Sequence, residues 1–138
     1  MRLGLLKFLL WLASVSHLAL GLCGVASPQL AVKAAKLFYG AQVDATPVTA
    51  HILRILGVYM LAVGILAAIA ALDPERHHGI IVVLAALLVL RVLQRLVHAG
   101  EIEATFQISA MRLGIQSVYF GLYASALLYL MPRRNARA

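Results

Sequence analysis

Four long apolar stretches occupy most of this 138-residue chain. They run over residues 3–23, 49–72, 79–97 and 106–131, and each approaches the ~20 residues that an α-helix needs to cross a bilayer core. The chain is 63% hydrophobic, whereas ordinary soluble domains are about 45–50% apolar. The pattern predicts an all-α integral membrane protein, an antiparallel four-helix bundle that forms a single domain over residues 1–138.

The net charge of +7 arises from twelve basic and five acidic residues, and five of the basic residues flank the first and last stretches. Basic residues at such positions orient a membrane protein and contact anionic lipid headgroups. The chain has no basic stripe with interleaved exposed aromatic residues, which is the pattern of a nucleic-acid surface. We therefore predict membrane lipid as a partner and no nucleic acid.

The distribution of charge also predicts an orientation. An even number of spans places both termini on one side, together with Arg76 of the second loop. The terminal basic residues are Arg2, Lys7, Arg133, Arg134 and Arg137. The opposite side carries Lys33 and Lys36 together with acidic residues. Under the positive-inside rule, we expect the N- and C-termini in the cytoplasm.

The first loop has the signals of a short helix. Ser27-Pro28 is typical of an N-cap followed by proline at the first helical position, and Gly40 is typical of a C-terminal stop. The apolar residues between them share one face, from which Lys33 and Lys36 are displaced. This pattern favours a helix in the membrane interface, and it suits a helix packed on top of the bundle equally well.

Glycines indicate where helices approach one another. Gly57 and Gly64 in the second span, and Gly114 and Gly121 in the fourth, are each one heptad apart. Small residues on one face allow close backbone contact, which drives helix association in lipid. We expect both pairs to lie in helix–helix contacts.

Polar residues within the spans gather towards the end of the bundle opposite the termini. Arg91, Arg95 and His98 are spaced i, i+4, i+7 and share one face of the third span. In the fourth span, polar residues repeat this spacing from Arg112 to Tyr123. The candidate ligand-binding residues are Arg54, Arg91, Arg95, His98, Arg112, Gln116 and Tyr119.

Three roles suit this cluster. Arginine forks recognise phosphate and carboxylate, so the cluster could hold a quinone, a lipid or another anionic ligand. A metal site is less favoured because the arginines would repel a cation. Its candidate ligands are His17, His51, His98 and Glu101. Alternatively, the arginines snorkel to the interface or pair with Asp44, Glu101 and Glu103.

His17 carries one further signal. Ala13-x-x-x-His17 is the pattern by which light-harvesting antenna helices hold a chlorophyll, because the small residue makes room for the ring. A hydrogen bond from the histidine to a neighbouring helix is the more common role of such a residue.

The groups that catalysis needs are mostly missing from the sequence. It has no Ser-His-Asp arrangement with plausible spacing, no HExxH, no phosphate loop and no paired carboxylates within the spans. Four short spans are also few for a transporter with alternating access. A binding or accessory role is therefore favoured over an enzyme or a transporter.

The layout resembles small bacterial four-span families of the DoxX-like kind and a related uncharacterised group. In these families a proline-led segment follows the first span, the second span contains Arg-x-x-Gly-x-Tyr-x-x-x-x-Gly, and the third ends in arginine and a glycine-acid turn. The corresponding segments here are Pro28 to Gly40, Arg54 to Gly64 and Arg91 to Glu101. The resemblance implies a four-helix topology, and some members are linked to thiol or respiratory oxidoreduction. This chain has a single cysteine, Cys23, and cannot form a thiol pair.

We predict a small accessory or interaction subunit of a larger complex in a bacterial inner membrane, with no catalytic activity of its own. Its partners would be other membrane subunits or further copies of itself. The alternative is a membrane binding protein for a quinone, lipid or anionic ligand, held in an arginine-rich pocket in the outer half. The possible cofactors are bound lipid or quinone, and a pigment on His17.

Overall fold

The structure is a computed structural model that describes residues 1–132, so Arg133, Arg134 and Arg137 of the orientation prediction lie outside the described residues. Within this range the chain forms helices and no strand. The helices are α1 (Arg2–Ala26), α2 (Pro28–Ala34), α3 (Pro47–Leu72), α4 (His78–Val97), α5 (Ala99–Phe106) and α6 (Ala110–Leu130). A π-helix, Ala35–Tyr39, continues α2.

Four of these helices, α1, α3, α4 and α6, are long and apolar enough to cross a membrane. Their outward faces carry large apolar side chains that are exposed, such as Val58 and Leu122 at 58% and 67%. Such a surface suits hydrocarbon and not water. The predicted all-α, multi-pass membrane bundle is confirmed.

The predicted start of the fourth span differs from the structure. α6 begins at Ala110 and not at residue 106, because the preceding segment forms the separate helix α5. Gln107 ends α5 by adopting a left-handed conformation with φ of 54°. Gly100, predicted to lie in a turn, is therefore within a helix.

Helices α1 and α3 form a close antiparallel pair. A Cβ atom at Gly57 would come within 2.9 Å of the Gly21 carbonyl oxygen, and one at Gly64 within 2.8 Å of Leu18 Cγ. The absence of side chains at these glycines lets the two helices approach this closely. The predicted role of Gly57 and Gly64 in helix contact is confirmed.

Helices α4 and α6 form the second pair, but not through glycine. A Cβ at Gly114 or Gly121 would have no neighbour within 4 Å, so the prediction that these glycines make close contacts within the bundle is wrong. The buried positions on α6 are Leu113, Ser117, Ala124, Leu127 and Leu130. At about 100° per residue, Gly114 and Gly121 point roughly 80–100° away from Leu113, to the edge of this buried face.

The hydrophobic core fills the half of the bundle nearest the chain termini. All four long helices contribute to it, with Leu6 and Leu10 from α1, Ala67 from α3, Ile81 from α4 and Leu127 from α6. The first four of these side chains are fully buried. The opposite half contains the cavities described below.

Two connecting segments cover that opposite end; together we name residues 27–46 and 98–109 the cap. Ser27 accepts a hydrogen bond from the Leu30 amide, and Gly40 ends the π-helix with φ of 72°, as the sequence predicted. The Gln42 amide donates to the Phe106 carbonyl at 2.8 Å and ties the two segments together. The short helix in the first loop is thus confirmed, with Ala31 buried against the bundle.

Candidate functional site

Arg95 is held by a relay of hydrogen bonds beneath the cap. Its side chain is 8% exposed, and Nη1 donates to Gln116 Oε1. Gln116 Nε2 in turn donates to the carbonyl oxygens of Phe38 and Tyr39, at 3.2 and 3.5 Å. The relay joins α4, α6 and the π-helix, so Arg95 and Gln116 fix the position of the cap.

Arg91 lies one helical turn from Arg95 and is packed between aromatic rings. Its Cζ atom is 5.3 Å from the ring centroid of Tyr39 and 4.9 Å from that of Phe120. Arg95 contacts the same two rings, at 5.7 and 5.1 Å. The attraction of a cation to aromatic faces stabilises both guanidinium groups here. The site therefore concentrates two positive charges between one aromatic pair.

No carboxylate compensates these charges in the part of the chain that the structure describes. Asp44, Glu101 and Glu103, the acids considered as partners in the sequence, have exposed side chains. Arg95 bonds to an amide instead, and no arginine forms an ion pair within residues 1–132. The linings of the cavities beside Arg91 contain no Asp or Glu. A positive site of this kind favours an anionic ligand.

Three cavities meet at Arg91, which lines each of them. The lid cavity, about 500 Å³, lies beneath the cap and is also lined by Tyr39, Gln94 and Arg95. The α1/α6 cavity, about 440 Å³, lies between those helices. The α3/α4 cavity, about 260 Å³, lies between α3 and α4. The two larger volumes fall within the range of small-molecule sites, roughly 300–1,000 Å³, and the third is slightly smaller.

His17 lines both the α1/α6 and the α3/α4 cavity. Its Nδ1 lies 2.8 Å from the Ala13 carbonyl oxygen of its own helix. Because a carbonyl can only accept, Nδ1 is the donor, and Nε2 is the nitrogen left for a ligand. The expected hydrogen bond to a neighbouring helix is thus replaced by one within α1, and the Ala13-to-His17 spacing serves that bond.

The other predicted site residues divide into two groups. Tyr119 and Gln116 line the α1/α6 cavity together with Arg91. Arg54, His98 and Arg112 are exposed and line none of the three cavities. α4 ends before His98, so the polar face of that helix does not continue to this residue. Arg112 instead packs its guanidinium against Gly40 of the cap.

The four residues considered as metal ligands are not brought together. His17 faces the interior, whereas His51, His98 and Glu101 have exposed side chains. His51 is on α3, and His98 and Glu101 lie at the start of α5. Within residues 1–132, no three His, Cys, Asp or Glu side chains could hold a metal ion. The cluster that the structure assembles consists of arginine, amide and aromatic groups.

Sequence reasoning missed the two aromatic residues that contact the arginines. Phe120 follows Gln116 by four positions, so the face of α6 that carries Gln116 could have identified it. Tyr39 comes from the cap, and no periodicity within its own segment indicates a contact with α4. Only the folding of the π-helix over the bundle brings Tyr39 to Arg91.

Comparison with known proteins adds a family but no described activity. A family model described as a domain of unknown function (DUF4345) matches residues 5–111, which include most of α1, all of α2 to α5 and both central arginines. No curated protein and no solved structure matches the chain. Because the match covers well over half of the sequence, the chain belongs to the family described as a domain of unknown function, DUF4345.

Proposed function

We propose that this protein binds a membrane-soluble amphiphile with an anionic headgroup, and that Arg91 is the residue that recognises the headgroup. The observation that carries the proposal is the setting of Arg91: two aromatic rings, three adjoining cavities and no carboxylate partner in residues 1–132. An arginine fork binds carboxylate or phosphate through paired hydrogen bonds. The headgroup would provide the missing negative charge.

The electrostatics favour an anion over a neutral quinone. A quinone offers carbonyl acceptors but leaves the charges of Arg91 and Arg95 uncompensated, whereas a carboxylate or phosphate neutralises at least one of them. The remaining cavity walls are largely apolar, with Leu88, Met60 and Phe120 among them. Such walls favour a hydrocarbon chain attached to the charged group.

The location of the site is a further part of the proposal. We place the protein in a bacterial inner membrane, with kinship to DoxX-like families, both termini in the cytoplasm and the cap outside. α4 ends at Val97, six residues beyond Arg91. At a rise of 1.5 Å per residue, Arg91 is about 9 Å inside the end of its helix. A ligand at that depth would come from the bilayer.

A matched pair of ligands and a matched pair of variants test this function. Native mass spectrometry of the protein in detergent would compare oleate with its uncharged methyl ester. We expect oleate to bind more tightly, and Arg91→Ala to weaken oleate binding by about ten- to hundredfold, since a charged hydrogen bond contributes roughly 1.5–3 kcal/mol. Arg54→Ala is the control, because Arg54 is exposed and lines none of the cavities.

Two outcomes would count against the proposal. Equal binding of oleate and its methyl ester would show that charge is not recognised. An equal loss of oleate binding in Arg91→Ala and Arg54→Ala would show that Arg91 does not recognise the headgroup. Arg91→Lys refines the test: it keeps the charge but loses the planar fork, so we expect intermediate binding.

An accessory role in a larger membrane assembly is our second proposal. It is supported by the open space beside Gly114 and Gly121, where no other part of the described bundle packs. In lipid, a helix of another subunit or of a second copy could approach closely there. Native mass spectrometry after gentle extraction should then show a larger assembly, and the double variant Gly114→Leu, Gly121→Leu should reduce it to the single chain.

A further inference from the structure

We infer that the bound amphiphile is a two-chain anionic phospholipid, with its phosphate at Arg91 beneath the cap and one acyl chain in each lateral cavity. This inference rests on the proposed function and names the class of ligand. Its basis is the division of the bundle into two helix pairs, the residues shared by the two lateral cavities, and the positive charge of the lid cavity.

Beyond the hydrophobic core that all four long helices share, the bundle is divided into two helix pairs with a cleft between them. The α1–α3 pair is held by the glycine contacts, and α4 packs chiefly on α6. Contacts across the cleft, between α1 and α6 and between α3 and α4, are much sparser. The two lateral cavities lie in these two gaps, one on each side of the bundle.

The lateral cavities are branches on either side of a common wall. Both are lined by Ala13, His17, Leu88, Arg91 and Tyr123. Each also reaches side chains that face outward. On the α1/α6 side these are Leu12, Ser16, Ala19 and Tyr119, and on the α3/α4 side they are Leu56, Tyr59 and Leu87. An acyl chain can therefore reach each branch from the surrounding bilayer.

The lid cavity differs from the branches because Arg95 lines it in addition to Arg91, which lines all three. Arg91 and Arg95 both line it, together with the amide of Gln94 and the ring of Tyr39. Arg91 is the residue through which this chamber adjoins both branches. The cationic lid cavity adjoins two largely apolar branches. A phospholipid has the same connectivity, because one phosphate group is joined to two hydrocarbon chains.

Packing and charge select this occupant from other amphiphiles. A single-chain acid would fill one branch and leave the other without contacts, which forfeits dispersion energy along its walls. A zwitterionic phospholipid would bring an ammonium group close to two guanidinium groups, where like charges repel. A two-chain lipid with a net negative headgroup avoids both costs.

Variants that narrow one branch at a time test the inference. Ala19→Phe obstructs the α1/α6 branch and Leu87→Trp the α3/α4 branch, since each residue lines only that branch. Their controls are Val15→Phe and Val83→Trp, one turn away on the same helices, at exposed positions that line none of the three cavities. The probes are dioleoyl phosphatidylglycerol, its single-chain lyso form and dioleoyl phosphatidylcholine, followed by native mass spectrometry.

We expect each obstructing variant to weaken dioleoyl phosphatidylglycerol binding by about tenfold or more, while the controls leave it unchanged. The lyso form should be affected much less, because its one chain can use the open branch. In the unmodified protein, dioleoyl phosphatidylglycerol should bind at least about tenfold more tightly than dioleoyl phosphatidylcholine and than the lyso form.

The inference is overturned if the lyso form binds as tightly as the two-chain lipid, if only one branch matters, or if phosphatidylcholine binds equally well. The last result would indicate nonspecific lipid around the bundle. If these comparisons fail but Arg91→Ala still weakens binding of oleate, the proposed function stands without the two-chain ligand. If Arg91→Ala weakens no anionic amphiphile, the proposed function itself fails.

Discussion

Ser14 and Ser117 are both buried serines in the bundle, but their hydroxyl groups differ. Ser117 Oγ donates to the Leu113 carbonyl at 2.8 Å. Ser14 Oγ is the one buried side-chain polar atom without a hydrogen-bond partner in residues 1–132. A buried hydroxyl without a partner costs about 1–3 kcal/mol, so Ser14 lowers the free energy of unfolding of the bundle.

Replacing each serine by alanine should therefore change stability in opposite directions. We expect Ser14→Ala to raise the free energy of unfolding by about 1 kcal/mol, because it removes an unpaired polar group. Ser117→Ala should lower it by about 0.5–1 kcal/mol, because it removes a formed hydrogen bond. Thermal unfolding in a mild detergent measures both, and a loss of stability in Ser14→Ala would mean that its hydroxyl has a partner.

Arg91 and Arg95 also have different roles despite lying on one face of α4. Arg95 is engaged by Gln116, whereas Arg91 has only the aromatic contacts. We expect Arg95→Ala to lower the free energy of unfolding by about 1.5–3 kcal/mol, through loss of a charged hydrogen bond. Arg91→Ala should lower it by less, about 1 kcal/mol, because its cation–π contacts are offset by the cost of a positive charge without a carboxylate partner. Thermal unfolding of the two variants checks this order, and the reverse order would contradict it.

Among the elements, the π-helix Ala35–Tyr39 depends most on a contact distant in sequence. Gln116 of α6 donates to its last two carbonyl groups and accepts from Arg95. The backbone amide of Gln42, three residues past the end of the π-helix, donates to the Phe106 carbonyl. The cap is therefore stabilised from both neighbouring segments, and a π-helix in such a position is often found at functional sites.

Removing the Gln116 amide should loosen the cap without unfolding the bundle. In Gln116→Ala, we expect amide hydrogens of residues 36–42 to exchange about tenfold faster, because hydrogen bonds of roughly 0.5–1.5 kcal/mol each are lost. Exchange followed by mass spectrometry measures this segment separately from α4 and α6. The control is Ser125→Ala, whose exposed hydroxyl bonds within α6. Unchanged exchange in the cap would show that Gln116 does not hold it.

Gly57 and Gly114 both have apolar neighbours in the sequence, but replacing each by alanine should change the free energy of unfolding in opposite directions. Gly57→Ala would place a methyl group against Gly21 and Gly24, so we expect it to lower the free energy of unfolding by about 1–3 kcal/mol. Gly114→Ala enters open space and should raise stability by up to about 1 kcal/mol, through higher helix propensity. Equal effects in thermal unfolding would contradict the asymmetry between α1–α3 and α4–α6.

For the molecule as a whole, orientation in the membrane is the property most open to a direct test. We expect the cap outside and the second loop in the cytoplasm. In a Cys23→Ser background, Lys36→Cys should react with an impermeant maleimide in intact cells. Glu75→Cys should react only after the membrane is permeabilised. The reverse labelling pattern would invert the proposed topology and place Arg91 in the inner half.

The long helices were predictable because their signal is local. A run of about 20 apolar residues has few stable arrangements other than a membrane-spanning helix, since backbone groups must pair internally in hydrocarbon. Ser27, Pro28 and Gly40 similarly predicted the short helix of the cap, because capping depends on neighbouring residues. The sequence also indicated Arg91, Arg95 and Gln116 as candidate site residues, because polar groups are rare within apolar helices.

Tertiary structure alone decided which of these residues meet. Helical periodicity specifies a shared face but not the helix that covers it, so Gly57 was correctly placed in a contact whereas Gly114 was not. Tyr39 reaches Arg91 only because the cap folds over the bundle, a contact between positions 52 residues apart in the numbering. The sequence by itself determined the membrane-spanning elements, through local hydrophobicity. The pairing of helices and the cavities around Arg91 depend on packing between distant segments, which no local pattern encodes.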